Sequence, residues 1–441
     1  MSEPATVTIT VTGKADGTSG SAIDGYIANA LVFRDSNNNN VWDHEAFTDA
    51  NANGIYDDGD AYTDENGDGQ FSAEFATLTD GQGNFVGLGG TGRIVMTPTT
   101  GAALPATDIS TGEAWDGLYS APAGSSVVTP LTTLIDALAG PNATAEQIAA
   151  AKAQLAGALG IDLSIDLGSF DPIAAIVGET DPAALARAVE VQKIAVQVAN
   201  IIAVIDETLQ ALGVEDGGAL ASAALAAQIE GSVGTTDLTS GALIQTAVEE
   251  AATASGDPAA QAAVEQQSGT IAEALSGINE VIDNVDETGD PLGALAQVVA
   301  AQIVAQENLA TEAATAVSGG DPVDTTTYEG TSLVEQLDQA ANEVETIIPT
   351  DTTGNPLGTP ERPVVNDGVR VNAVEIADGI QVTVTYDETA GVVPGHSLKL
   401  LLNGLEIASH TLAAGEVSFG GQLSHEFTVP AAALGADGQR C

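Results

Sequence analysis

The chain has 441 residues, of which 62 are acidic and ten basic, giving a formal net charge of −52. Without a basic patch to displace counterions, nucleic acid and anionic membrane surfaces are excluded as partners. Hydrophobic residues make up 44% but aromatics only 4%, so the interior must be built of Ala, Val, Leu and Ile, in roughly two to four domains.

The single cysteine, Cys441, rules out an intrachain disulfide, so a secreted chain of this kind would need core size, repetition or metal for stability. Such acidity also suits a salt-rich habitat, because high net charge keeps proteins soluble. The opening MSEPATVTITVTG alternates apolar and polar residues like a strand, and lacks the basic start and apolar core of a signal peptide. The far end, ADGQRC, stops directly after what reads as the penultimate strand of a β-domain, so an internal fragment of a longer polypeptide is the expectation.

Residues 1–125 are rich in Gly, Thr, Asp and Asn with short apolar alternations, the pattern of short strands and long polar loops. Within them the oxygen-rich spacing of a calcium loop occurs three times. Calcium takes six to eight hard oxygen ligands, which a loop supplies from positions 1, 3, 5, 7 and 9 with a carboxylate at 12. In DANANGIYDDGD, Asp49, Asn51 and Asn53 fall at 1, 3 and 5, Gly54 at the turn, Ile55 at the backbone-carbonyl position, Asp57 at 9 and Asp60 at 12. The preceding run offers Asp35, Asn37, Asn39 and Asp43, with Asn40 in place of the turn glycine and Glu45 one residue short of position 12. The following run offers Asp64, Asn66 and Asp68, with Gln70 at the carbonyl position and no carboxylate at 12. Solvated Asn/Asp/Gly turns without metal are the alternative. No Lys or Arg lies between Arg34 and Arg93, so without cations these carboxylates would repel one another. The segment TDGQGNFVGL (79–88) reads as a turn before a strand.

From PAGSSVVTPLTTLIDAL (122–138) the chain passes into an Ala-rich helical stretch that runs to about 348. Asp-Pro at 171, 181, 257, 290 and 321 predicts an Asp N-cap before a Pro at the first helical position. Thr144 with Gln147 and Ser332 with Glu335 fit capping boxes. Val191, Ile194, Val198, Ile201, Ile205, Leu209 and Leu212 form one apolar stripe, and Ile271, Leu275, Ile278, Ile282 and Val285 another, as in an antiparallel bundle. These stripes read as plain core. The most apolar stretch, 194–205, is interrupted by Gln197 and Asn200, and no run reaches the eighteen apolar residues of a membrane span.

A Pro/Thr/Gly linker over 349–363 leads to a last β-region, in which Asn403-Gly404 between two apolar runs signals a hairpin. Evenly spaced short strands there suggest an immunoglobulin-like sandwich. The expected fold is α+β and multidomain: a β-rich calcium-binding region (1–125), a helical bundle (126–348), the linker (349–363) and a truncated immunoglobulin-like β-sandwich (364–441).

The order DGYIANALVFRDSNNNNVWD, TDENGDGQF, YSAPAGSSVVTPLTTLIDAL and an Ala-rich helical stretch resembles a module of giant repetitive surface adhesins of Gram-negative bacteria. The opening ATVTITVTG is similar to the end of a cadherin-like repeat, and the closing stretch from GVRVNAVEIADG resembles an immunoglobulin-like repeat of such proteins. The front portion is also similar to calcium-binding B-repeats of staphylococcal surface proteins. The resemblance implies export to the cell surface, a role in adhesion or biofilm, bound Ca2+, neighbouring repeats of the same chain and a host, cell or matrix surface ligand.

Two other classes stay open at this level. Clustered carboxylates could serve a hydrolase as general acid and base. Against this, the four histidines (44, 396, 410 and 425) are scattered, and no GxSxG, HExxH or phosphate loop occurs. A dockerin-like module would follow each calcium loop with an amphipathic helix, whereas here the loops run into one another. The reading is non-catalytic.

Overall fold

The computed structural model describes residues 17–341, apart from 58, 68, 100–101, 179–180, 233 and 287–289, and the backbone of five strands between 364 and 429. The opening strand pattern, Asp68 and the linker at 349–363 lie outside the described residues. The chain divides into two compact units, one of which is Asp16–Ile347.

Short apolar runs between turn residues give eleven strands among the described residues of the first third: β1 (Thr18–Ala22), β2 (Ile27–Ala28), β3 (Leu31–Arg34), β4 (Phe47–Thr48), β5 (Ala61–Tyr62), β6 (Ala76–Leu78), β7 (Asn84–Leu88), β8 (Ile94–Thr97), β9 (Thr107–Asp108), β10 (Tyr119–Ala121) and β11 (Val127–Val128). One sheet has the order β11-β1-β7, with β1 parallel to β11 and antiparallel to β7. A second, β10-β8-β3-β6, is antiparallel throughout. Successive side chains of a strand point to opposite faces, and the second sheet uses both. Val32, Ile94, Met96, Tyr119 and Ala121 join the main core, while Leu31, Phe33 and Val95 pack on the other side with Trp42, Ile55, Ala76, Leu78 and Leu118. One face therefore carries the helices and the other carries the acidic loops.

The helices are α1 (Pro130–Ala139), α2 (Ala145–Leu159), α3 (Pro172–Gly178), α4 (Pro182–Gln210), α5 (Gly217–Gly231), α6 (Gly241–Ala254), α7 (Pro258–Asp283), α8 (Pro291–Ile303), α9 (Ala310–Val317) and α10 (Gly330–Ala340). A π-helical stretch, Val304–Leu309, joins α8 to α9. The Asp-Pro starts hold at four of five sites. Asp171, Asp181, Asp257 and Asp290 each accept a backbone N–H of the first turn that follows. Asp321 is the exception: no helix follows it directly, and the next turn is a 3-10 turn at Thr325–Tyr328, which Asp324 caps. The Thr144–Gln147 capping box is present. That of Ser332 and Glu335 is not, because α10 begins at Gly330 and takes Ser332 into its first turn. A box that the spacing did not suggest, Thr129 with Thr132, starts α1.

The central element is α4, against which α3, α5, α7, α8 and α9 pack. By length and composition it could cross a bilayer, yet 89% of its apolar window is buried inside the unit. Gln197 and Asn200, which interrupt its apolar run, meet α7. Gln197 Nε2 donates to the Asn279 carbonyl (2.9 Å), Asn200 Nδ2 donates to Asn279 Oδ1 (3.3 Å), and Asn279 Nδ2 donates to the Leu238 carbonyl (3.0 Å). Both apolar stripes are core. That core is continuous from Ala22 to Ala340, so position 125, the expected boundary, lies inside one unit with the strands and helices on a shared interior.

In the second unit β13 (Ile380–Asp387) pairs antiparallel with β12 (Val364–Val365) and β16 (Gln422–Val429). There β14 (Ser397–Leu402) pairs with β15 (Leu405–Thr411), and Leu402 opposite Leu405 leaves the expected two-residue connection. The whole is a mixed α+β protein.

Candidate metal centre

The three acidic runs fold into three copies of one loop. In each, the carboxylate at position 1 accepts the N–H of position 6: Asn40 to Asp35 (3.0 Å), Gly54 to Asp49 (2.7 Å) and Gly69 to Asp64 (2.9 Å). Positions 4 and 6 are left-handed in all three, at φ 63° and 62° for Asn38 and Asn40, 57° and 89° for Ala52 and Gly54, and 77° and 76° for Gly67 and Gly69. Asn40 thus fills the turn-glycine role, as its short amide side chain permits. At Asp49, desolvation is outweighed by the N–H groups of Gly54, Asn53, Ala52 and Asn51, which hold its carboxyl below the usual range.

Side chains at 3, 5 and 9 converge. Asn37 Nδ2 (2.6 Å) and Asn39 Nδ2 (3.1 Å) donate to Asp43 Oδ2, and Asn51 Nδ2 (2.8 Å) and Asn53 Nδ2 (2.7 Å) donate to Asp57 Oδ2. In the third loop Asn66 Nδ2 donates to Ser72 Oγ (2.8 Å). Ile55 sits at position 7 of the middle loop, its side chain packed beneath on the sheet. Position 8 is aromatic every time: Trp42, Tyr56 and Phe71. Tyr56 stacks on Phe71 at 3.8 Å, and Phe47 stands edge-on to Trp42, Tyr56 and Phe71. His44 belongs to this cluster, 4.3 Å from Trp42, and its Nδ1 donates to the Glu45 carbonyl (2.8 Å).

The last ligand position holds the main departure from the expected assignment. In the middle loop Asp60 accepts the N–H groups of positions 2 and 9, Ala50 (3.1 Å) and Asp57 (3.0 Å). The same two donors of the first loop, Ser36 (2.6 Å) and Asp43 (3.4 Å), go to Glu74. Those of the third loop, Glu65 (2.9 Å) and Ser72 (3.0 Å), go to Glu45. Glu45, the carboxylate nearest position 12 of its own loop, closes the third, and Glu74 closes the first. A backbone bridge between His44 and Ala73, flanked by Glu45 N to Ser72 O and Glu74 N to Asp43 O (2.9 Å each), holds the two segments in register for this exchange. A signal was present: both outer loops carry Glu at position 11 and none at 12.

Among the described residues, Arg93 is the cation that pairs with the first loop. It pairs with Asp35 and with Asp136 of α1 at 2.8 Å each and so ties the loop to the helices. Burial raises the Asp136 carboxyl, and Arg93 opposes that. Among the described residues no three His, Cys, Asp or Glu side chains form a metal cluster by themselves, since each loop mixes carboxylates with carboxamides.

Elsewhere, acids far apart in the chain come close to one another. Asp206 of α4 is raised to about 6 by burial, with Asp116 and Glu207 adding to the shift, and Glu307 on the π-helical stretch is raised by burial and then by Glu113, Asp116 and Glu207. A cavity of about 450 Å³ between α7, α8 and α10 has Glu280 and Glu329 among its lining residues. No family model, curated protein or solved structure matches the chain.

Proposed function

We propose that the chain is a non-catalytic, calcium-stabilised structural module of a large secreted bacterial surface protein, serving adhesion or biofilm formation. The observation that carries this reading is the threefold repetition of one loop geometry, each copy closed by a carboxylate on the N–H groups of positions 2 and 9. The donor sets suit a hard cation. They are Asp35, Asn37, Asn39, Asp43 and Glu74 in the first loop, and Asp49, Asn51, Asn53, the Ile55 carbonyl, Asp57 and Asp60 in the second. The third has Asp64, Asn66, Asp68, the Gln70 carbonyl, Ser72 and Glu45.

Bound calcium would neutralise carboxylates that have few cations of their own and would cross-link the three loops. The asparagine amides that now give N–H to Asp43 and Asp57 present oxygen when turned over, the usual ambiguity of a carboxamide. Low cytosolic calcium leaves such a chain loose for export, and extracellular calcium locks it, at dissociation constants on the order of 10⁻⁴–10⁻³ M. The second unit, with its antiparallel sheets, fits an immunoglobulin-like repeat, and further repeats would adjoin this segment in the parent chain.

Titration calorimetry on the full chain tests the reading. Calcium should release or take up heat and magnesium should do so poorly, because magnesium demands a tight octahedral shell and keeps its waters. Asp49→Ala with Asp57→Ala should remove the middle site. Absence of calcium heat, with melting indifferent to chelator, would overturn the proposal.

A further inference from the structure

Where the strands meet the helices, two carboxyl groups that repel one another are buried, with no cation paired to either among the described residues. Asp24 lies in the turn between β1 and β2 and is 2% exposed; Asp108 lies on β9 and is 5% exposed. Ladder pairing sets Asp108 opposite Ile27, and its carboxylate rests on Gly25, where any side chain would run into it. Neither group takes part in an ion pair among the described residues.

Their hydrogen bonding is unequal. Asp108 accepts from Ser110 N (2.8 Å), Ser110 Oγ (2.7 Å) and Gln302 Nε2 (3.2 Å). Asp24 accepts at Oδ2 from the Tyr119 hydroxyl (2.8 Å), while no donor reaches Oδ1. A buried carboxylate oxygen with no donor is costly, and a proton on that oxygen removes the charge that makes it so. The helices grip this pair with amides: Gln192 Nε2 of α4 donates to the Asp24 carbonyl (2.9 Å), and Gln302 of α8 holds Asp108.

We propose that Asp24 and Asp108 share one proton, held on Asp24, and that this proton latches the strands onto the helices, so that the joint loosens as the solution turns alkaline. The titratable groups facing Asp24 are Asp108 and Tyr119. From α3 the nearby N-cap Asp171, itself raised by burial, accepts the Tyr26 hydroxyl (2.9 Å). On α4, Lys193 donates to the Val285 carbonyl (3.2 Å) and pairs with Glu190 (3.2 Å). Burial first, and Asp108 second, push the Asp24 carboxyl up to about 7, against the Tyr119 hydroxyl and the nearby Gln306 amide, whose Nε2 donates to Asn200 Oδ1 (3.2 Å), and burial raises Asp108 as well. The folded value lies above the unfolded one near 3.8, so the folded state keeps a proton that the unfolded chain has lost. Stability from this group is full below pH 4 and lost as pH rises through 7. Between pH 6 and 8 the folding equilibrium falls about tenfold from this group alone.

Infrared difference spectra of the full chain in calcium test the assignment. At pH 6 the wild type should show a protonated-carboxyl band that Asp24→Asn lacks, and the band should fade by pH 9 as amides of 23–28 and 107–111 begin to exchange faster. Asp24→Asn should lose about tenfold less of its folding equilibrium between pH 6 and 8 than wild type does. Tyr119→Phe, which removes the donor to the ionised form, should shift the fading to higher pH, an effect that loss of packing alone would not produce. A pair that is fully ionised at pH 6, whether bare or bridged by a stoichiometric metal, would overturn the proposal. So would a pH dependence unchanged in Asp24→Asn, or a Tyr119→Phe titration at the wild-type pH.

Discussion

Glu45 and Glu74 each close a loop that begins elsewhere in the chain, and their substitutions should therefore act at a distance in sequence. Glu74→Gln is expected to weaken calcium at the first loop and Glu45→Gln at the third. Each should lose about ten- to a hundredfold in affinity, since even partners outside the coordination shell are worth that much. Both should leave the middle loop, closed by its own Asp60, unchanged. Calorimetric titration of the two variants beside wild type reads this directly, and loss at the middle loop would contradict the assignment. Ala52 gives a second residue-scale prediction. Its left-handed backbone (φ 57°) is the conformation that its counterpart Gly67 adopts freely, while a Cβ there costs about 1–2 kcal/mol. Ala52→Gly should stabilise the unit by about 0.5–1 kcal/mol in chemical denaturation, after the entropy that glycine adds to the unfolded chain.

Helix starts were legible residue by residue because a cap is a local device. Asp257 accepts from Ala259 N (2.7 Å) and Ala260 N (3.4 Å), and Asp257→Ala should cost about 1 kcal/mol by denaturant midpoint. Asn279 illustrates what local spacing hides. It reads as a polar residue near the end of α7, yet it is fully buried and ties that helix to α4 and to the α5–α6 connection. Asn279→Ala leaves Asn200 Nδ2 and the Leu238 carbonyl without their side-chain partner, while Gln197 keeps the backbone carbonyl of residue 279, and it should cost more than the cap, about 1–3 kcal/mol. Asp206 belongs to this scale as well. Its carboxyl, raised by burial to about 6, loses stability for the fold as pH climbs from 4 through 6. Asp206→Asn is expected to gain up to about 3 kcal/mol over wild type at pH 8, the advantage vanishing below pH 4 in paired melts. The loops follow the same division between local and distant. Their spacing, turn residues and the middle site stand in the sequence, whereas the exchange of terminal carboxylates depends on a bridge between residues 44 and 73 that no window of a dozen residues contains.

At the scale of the molecule, composition forecast an aliphatic interior and periodicity forecast where strands give way to helices, but neither revealed that both share one core. Were the strands and helices separate domains, chelation would melt the strands and spare the helices. With Val32, Met96 and Tyr119 in the same interior as Leu134, Ile201 and Leu275, the two should unfold together. Far-UV circular dichroism and the fluorescence of Trp42 and Trp115 should follow coincident transitions, both shifted to lower temperature by chelator. Helical signal outlasting the tryptophan transition would show the shared core to be too weak to couple them.

The strand order β11-β1-β7 has a mechanical consequence. β1, where the chain enters the unit, is bonded on both flanks, through Ser21 N to Ser126 O (3.1 Å) and Ile23 N to Val128 O (2.8 Å) on one side and Ala22 N to Gly83 O (2.8 Å) on the other. Because β1 and β11 run parallel, tension applied ahead of β1 and beyond β11 slides the strands along one another. Their bonds are then loaded in shear, side by side, instead of being peeled open in turn. A pulling experiment on the unit should give one abrupt rupture, as in a clamp that yields all at once.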